Sequence, residues 1–197
     1  AMTTSETYKG AQSDIPTVTD NIIQSRTFYK GDKGEEVADY THNFGTSSTG
    51  WTIKSTSFFF YEGNLRASAA NNELAMVRSE SYKGMLSVID PAQLQSKTYY
   101  KGIKGDEIAD YTENYKFGTT EIKTTTFYLY NGQRAANAAA DQAMTTSETY
   151  KGAQSDIPVV VDNIIQSRTF YKGDKGEEVA DYTHNFGTSS TGWTIKS

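Results

Sequence analysis

Residues 1–55 return as residues 143–197 with two changes, Thr17 to Val159 and Thr19 to Val161. A chain built this way holds one complete unit of about 142 residues, read as 1–142 or as 56–197, and 55 residues in surplus. The surplus either contends with its twin for one place in a fold or pairs with another chain.

The unit is itself repeated. Tyr29–Asn43 aligns with Tyr100–Asn114 at eleven identical positions of fifteen, Ser5–Gly10 aligns with Ser79–Gly84, and Phe58–Gly63 aligns with Phe127–Gly132. The chain therefore reads as half A (1–77), half B (78–142) and a second copy of the first 55 residues (143–197), with 56–197 able to fold as a circularly permuted unit. Internal periodicity of this kind is the mark of duplicated architecture.

Stretches rich in Thr, Ser, Phe and Tyr end in a recurring Tyr-x-Gly, as at Tyr8/Gly10, Tyr29/Gly31, Tyr61/Gly63 and their counterparts in half B. That is strand composition closed by a turn residue. Lys30–Gly34 and Thr46–Gly50 read as hairpin turns, and Trp51–Tyr61 as a long strand. Ala67–Val77 and Arg134–Met144 are alanine-rich and fit either a short helix or a linker. Ile157–Val161 reads as a strand opening at Pro158. The expected class is all-β, mainly antiparallel, with about five strands per half and the two halves sharing one core as a sandwich or barrel.

Thr and Val are nearly isosteric, and positions two apart on a strand share a face. If that face is buried, each unpaired hydroxyl costs roughly 1–3 kcal/mol. Thr17 and Thr19 would then weaken the first copy against Val159 and Val161 by roughly 2–5 kcal/mol, so these four residues are the candidates for segment exchange. The pattern resembles engineered duplicated-segment switches and designed strand-exchanging assemblies. A natural tandem array is the other origin that fits.

Little else carries chemistry. There is no cysteine, which excludes disulfides and thiolate sites and leaves the compartment open. The acidic group Asp32, Glu35, Glu36, Asp39 recurs as Asp106, Glu107, Asp110 and as Asp174, Glu177, Glu178, Asp181, but strand alternation splits it between faces, and no calcium-loop spacing is present. His42 and His184 are one position seen twice, replaced in half B by Glu113, so no catalytic triad is expected. Gly31–Gly34 lacks phosphate-loop spacing. No cofactor is expected. A net charge of −5 with interspersed lysines argues against nucleic acid, and no apolar run reaches membrane-span length.

The aromatics are the one binding signal. Tyr29, Trp51, Tyr100, Tyr171 and Trp193 near turns are candidate ligand contacts, their flat faces and polar tips suiting sugar rings. The function expected is a non-enzymatic, self-assembling β protein in which residues 1–55 and 143–197 compete for one place or exchange between chains, giving a homo-oligomer. The alternative is a tandem-repeat, lectin-like module that binds carbohydrate.

Overall fold

The computed structural model describes residues 1–11, 14–15, 22–47, 50–158, 164–189 and 192–196. They form thirteen strands: β1 (Thr4–Tyr8), β2 (Ile23–Lys30), β3 (Val37–Ser47), β4 (Gly50–Tyr61), β5 (Met76–Lys83), β6 (Leu94–Lys101), β7 (Ile108–Tyr115), β8 (Ile122–Tyr130), β9 (Gln133–Arg134), β10 (Thr146–Lys151), β11 (Ile165–Lys172), β12 (Val179–Ser189) and β13 (Gly192–Lys196). The protein is all-β and antiparallel. Among the described residues the only helical turns are short 3-10 pieces, one of them Ala135–Asn137 in an alanine-rich segment. Ile157 and Pro158 lie in irregular backbone rather than opening a strand, and residues 159–161 fall outside the described residues.

The chain divides into two compact units, Ala1–Gln95 and Ser96–Ser197. In the first, β1 to β5 pair in chain order; in the second, β6, β7, β8, β10, β11, β12 and β13 do the same, with β9 folded back on β8. Each unit is thus an open meander, which corrects the expected sandwich or barrel. The physical reason is connectivity. Within each unit the connections return the chain beside the strand just made, and among the described residues no ladder joins the first strand of a unit to its last.

Three groups of four strands can be aligned, and β9 adds a fifth, two-residue strand after β8. β1–β4, β5–β8 and β10–β13 follow one pattern, down to the register. Phe28 pairs with Tyr40, Tyr99 with Tyr111 and Phe170 with Tyr182, and each pair is followed by a bulge that brings Tyr29, Tyr100 and Tyr171 opposite Ala38, Ala109 and Ala180. The tight turns after these strands need glycine. Gly102 sits at φ 124°, and a Cβ there would lie 2.5 Å from the Asp106 carbonyl oxygen. Both copies of the duplicated segment are folded at once: Thr4 faces Phe28 across β1–β2, and Thr146 faces Phe170 across β10–β11.

Alternation gives each unit two unlike faces. One carries Thr27, Thr41, Ser57 and Ser81 in register, with Thr27 and Thr41 hydroxyls 2.8 Å apart. The other carries Phe28, Tyr40 and Phe58, and in the second unit Tyr99, Tyr111 and Phe127. The apolar cores lie on Val37, Tyr61 and Ala67; on Ile108, Tyr130 and Ala135; and on Phe127, Tyr150 and Ile165.

Candidate assembly interface

The chemistry of this protein is concentrated where one repeat meets the next. Two such junctions exist, β4–β5 in the first unit and β8–β10 in the second. They use one register: Phe58 faces Glu80 and Thr56 faces Tyr82, as Phe127 faces Glu148 and Thr125 faces Tyr150. Phe58, Thr56, Phe127 and Thr125 are wholly buried.

A threonine hydroxyl ties down the loop that follows. Thr56 Oγ1 donates to the Gly84 carbonyl at 2.8 Å and accepts from the Leu86 amide at 3.0 Å. Thr125 Oγ1 donates to the Gly152 carbonyl at 2.9 Å and accepts from the Gln154 amide at 3.1 Å. The first strand of each repeat contributes a glutamate and a tyrosine two residues on. Glu148 is buried, takes the Tyr150 hydroxyl, and pairs with Arg168 Nε at 2.6 Å. Burial, and then that hydrogen bond to a carboxylate, push the Tyr150 phenol well above its ordinary range. Tyr82 is raised for the same reasons.

In the first two repeats an arginine just past the fourth strand is clamped to an aspartate of the third. Arg134 forks onto Asp110 with two bonds of 2.7 Å and lies 4.4 Å from the Phe127 ring centre. Arg66 pairs with Asp39 and lies 4.7 Å from the Phe58 ring centre. Beside each clamp a tyrosine hydroxyl donates to a backbone carbonyl, Tyr61 to Ala38 at 2.6 Å and Tyr130 to Ala109 at 2.8 Å.

Tyr130 has a consequence for alkaline stability. Burial is the first cause that pushes its phenol up to about 12, against about 10 in an unfolded chain. A raised folded value means the stabilisation is complete below pH ~10 and is lost as pH climbs towards 12. The unfolding free energy, read by urea titration, should fall across that window by about 3 kcal/mol from this group. Tyr130→Phe should flatten the fall; an unchanged slope would clear Tyr130 of responsibility.

The sequence-predicted residues fare unevenly. Thr17, Thr19, Val159 and Val161 lie outside the described residues. Trp51 and Trp193 lie in β4 and β13, opposite Thr46 and Thr188. Tyr29 and Tyr171 direct their hydroxyls to Ser5 and Ser147, at 3.0 and 3.1 Å, and Tyr100 faces Ala109.

The acidic hairpin residues diverge: Glu36 and Glu107 accept from the amides of Gly34 and Gly105, while Asp39 and Asp110 hold the arginine clamps. Among the described residues no group of three or more acids or histidines converges as a metal site would. His42 is buried, with Nε2 3.0 Å from the Leu86 carbonyl oxygen. It borders an open groove of about 450 Å³ together with Arg26, Phe28, Phe44, Ile53 and Met85. No helix among the described residues is long and apolar enough to cross a membrane.

Sequence reasoning missed the clamp. Asp39 and Asp110 stand at matched positions of the aligned halves, but Arg66 follows Gly63 by three residues and Arg134 follows Gly132 by two. The missing signal was a basic residue just past the same Tyr-x-Gly in both halves. Compared with known proteins, the chain matches no family model and no curated protein.

Proposed function

We propose that this chain is a non-enzymatic structural protein, a β-meander that grows by adding four-strand repeats edge to edge and joins copies of itself by strand or segment exchange. One observation carries the reading. β1 and β10 have the same sequence from Thr4/Thr146 to Tyr8/Tyr150, yet β10 is held between β8 and β11, whereas among the described residues β1 pairs with β2 alone. The difference registers in burial. Ser147, Glu148 and Tyr150 are buried where Ser5, Glu6 and Tyr8 are half-buried.

An edge strand with unused amide and carbonyl groups is a template for another chain. The proposed partner is a fourth strand like β8, which faces the glutamate of β10 with phenylalanine. β1–β2 and β10–β11 are both paired among the described residues, which supports placing the proposed exchange between chains.

The test is molar mass by size-exclusion chromatography with light scattering over a hundredfold range of concentration. We expect mass to rise with concentration, and Thr7→Lys to suppress the rise. Thr7 is exposed, but its twin Thr149 meets Thr126 hydroxyl to hydroxyl at 2.9 Å across the β8–β10 ladder, where a lysine would not fit. Constant mass in both proteins would sink the assembly reading.

A further inference from the structure

The first repeat holds open a groove whose counterpart the second repeat furnishes with its own polar side chains. At one level of the sheet Arg26 faces His42 and His42 faces Thr56; the matching row in the second repeat is Lys97, Glu113 and Thr125. By the same ladders Phe28 matches Tyr99 and Phe44 matches Tyr115. In the second repeat the Tyr99 and Tyr115 hydroxyls both donate to Glu113 Oε2, at 3.2 and 2.6 Å, and Lys97 Nζ lies 5.7 Å from the Tyr115 ring centre. A carboxylate is thus held there by two phenols, with a cation close to one of them.

In the first repeat the carboxylate and both hydroxyls are gone. His42 directs Nε2 to the Leu86 carbonyl at 3.0 Å, and the two phenylalanines have no polar atom to offer. What remains is a groove of about 450 Å³ walled by Phe28, Phe44, Ile53 and Met85, with Arg26 and His42 among its lining. That volume, and apolar walls with a few polar groups, are the usual make-up of a small-molecule site. Met85 is 69% exposed, an apolar wall turned to solvent, where the residue after the matching Lys-Gly in the second repeat is Ala153. Arg26 gives Nε to Glu6 at 2.6 Å and is a third exposed. A guanidinium carries five donors in a planar fork, so that bond uses one of them.

From these features we infer that the groove binds a small organic anion made of an aromatic ring system and one carboxylate. The carboxylate would stand in for the Glu113 side chain and accept from the Arg26 guanidinium, a charge-assisted bond of the stronger kind. The ring would lie against Phe28, Phe44 and Ile53 and cover Met85. The chain as a whole carries a charge of −5, so its overall field does not gather anions, and an anion that binds reports a local cation. The lining comes from β2, β3, β4 and the loop after β5, all within the first unit, so the inference is independent of the assembly reading.

The probe is naphthylacetate, fluorescent in itself, titrated with the full chain and followed by anisotropy. Saturable one-to-one binding is expected, with naphthylethanol, the same ring system without the charge, at least tenfold weaker. Arg26→Gln should abolish the preference for the acid while leaving the weak binding of the alcohol, a split that general damage to the fold would not produce. Met85→Ala, on an exposed loop, should weaken both probes severalfold. The triple variant Phe28→Tyr, His42→Glu, Phe44→Tyr restores the arrangement of the second repeat and should bind neither. Absence of saturable binding, equal affinity for acid and alcohol, or binding of the acid unchanged by both Arg26→Gln and Met85→Ala would each overturn the inference.

Discussion

Phe127→Ala is expected to cost about 3–5 kcal/mol of stability, the range for deleting a fully buried aromatic ring that its surroundings do not refill. Phe127 has no exposed surface, its ring centre is 6.0 Å from those of Tyr111 and Tyr150, and the Arg134 guanidinium lies over it. Truncation would remove ring area, leave a void beneath a charged group, and break into the cluster with Tyr150 and Ile165 against which Ile157 and Ile164 pack. A collapse that refills such a void needs mobile neighbours. Here Tyr150 is tied to Glu148 and Arg134 to Asp110, so relaxation is restrained. Phe58→Ala in the first unit should behave alike, since Phe58 has the same burial, a tilted contact with Tyr40 and the Arg66 clamp. Phe170 is stacked on Tyr182 but only half-buried, and Phe170→Ala should cost well under half as much. Urea unfolding of the three variants is the measurement. Equal losses would mean that burial at the repeat junctions is not what holds the sheet.

Much of the strand pattern was legible because it follows from alternation and from glycine. Thr27, Thr41 and Ser57 against Phe28, Tyr40 and Phe58 mark half-buried strands, and Gly31 marks the turn between β2 and β3. What alternation does not encode is the number of layers. A strand with one apolar face serves a sandwich and an open meander equally well, and the decision is made by connections and by loops that fold back, such as the one Thr56 holds at Gly84 and Leu86. The tyrosines were legible as recurring but not as to purpose. In the structure Tyr61 and Tyr130 direct their hydroxyls to carbonyls, Tyr82 and Tyr150 to glutamates, and Tyr29 and Tyr171 lie within hydrogen-bond distance of serines. The carbonyl and serine partners lie more than twenty residues away, where spacing gives no cue, whereas each glutamate stands only two residues before its tyrosine on the same strand. The two Thr-to-Val changes, the most visible sequence difference, lie outside the described residues.

Arg134→Ala should be as damaging as loss of the phenylalanine ring, for a different reason. Asp110 is 4% exposed, and both of its oxygens are engaged by Arg134. Removing the arginine leaves a buried carboxylate without its counter-charge, a change worth about 3–5 kcal/mol. The loss is then chiefly the penalty on Asp110 rather than the worth of the pair. Asp110→Asn, which lowers that penalty, should therefore recover part of the stability when added to Arg134→Ala. A double-mutant cycle in urea should give a coupling above about 1 kcal/mol. Arg134→Lys should rescue poorly, because a point charge does not reproduce the fork or the stacking over Phe127. The third contact separates this account from a generic loss of charge. Arg134 also reaches Asp156 at 2.8 Å, but that side chain is 77% exposed, so Asp156→Ala should change stability by less than about 1 kcal/mol. If Asp156→Ala proved as costly as Arg134→Ala, the arginine would be acting as a bridge to the third repeat's loop. The clamp on Asp110 would then not be the element that joins fourth strand to third.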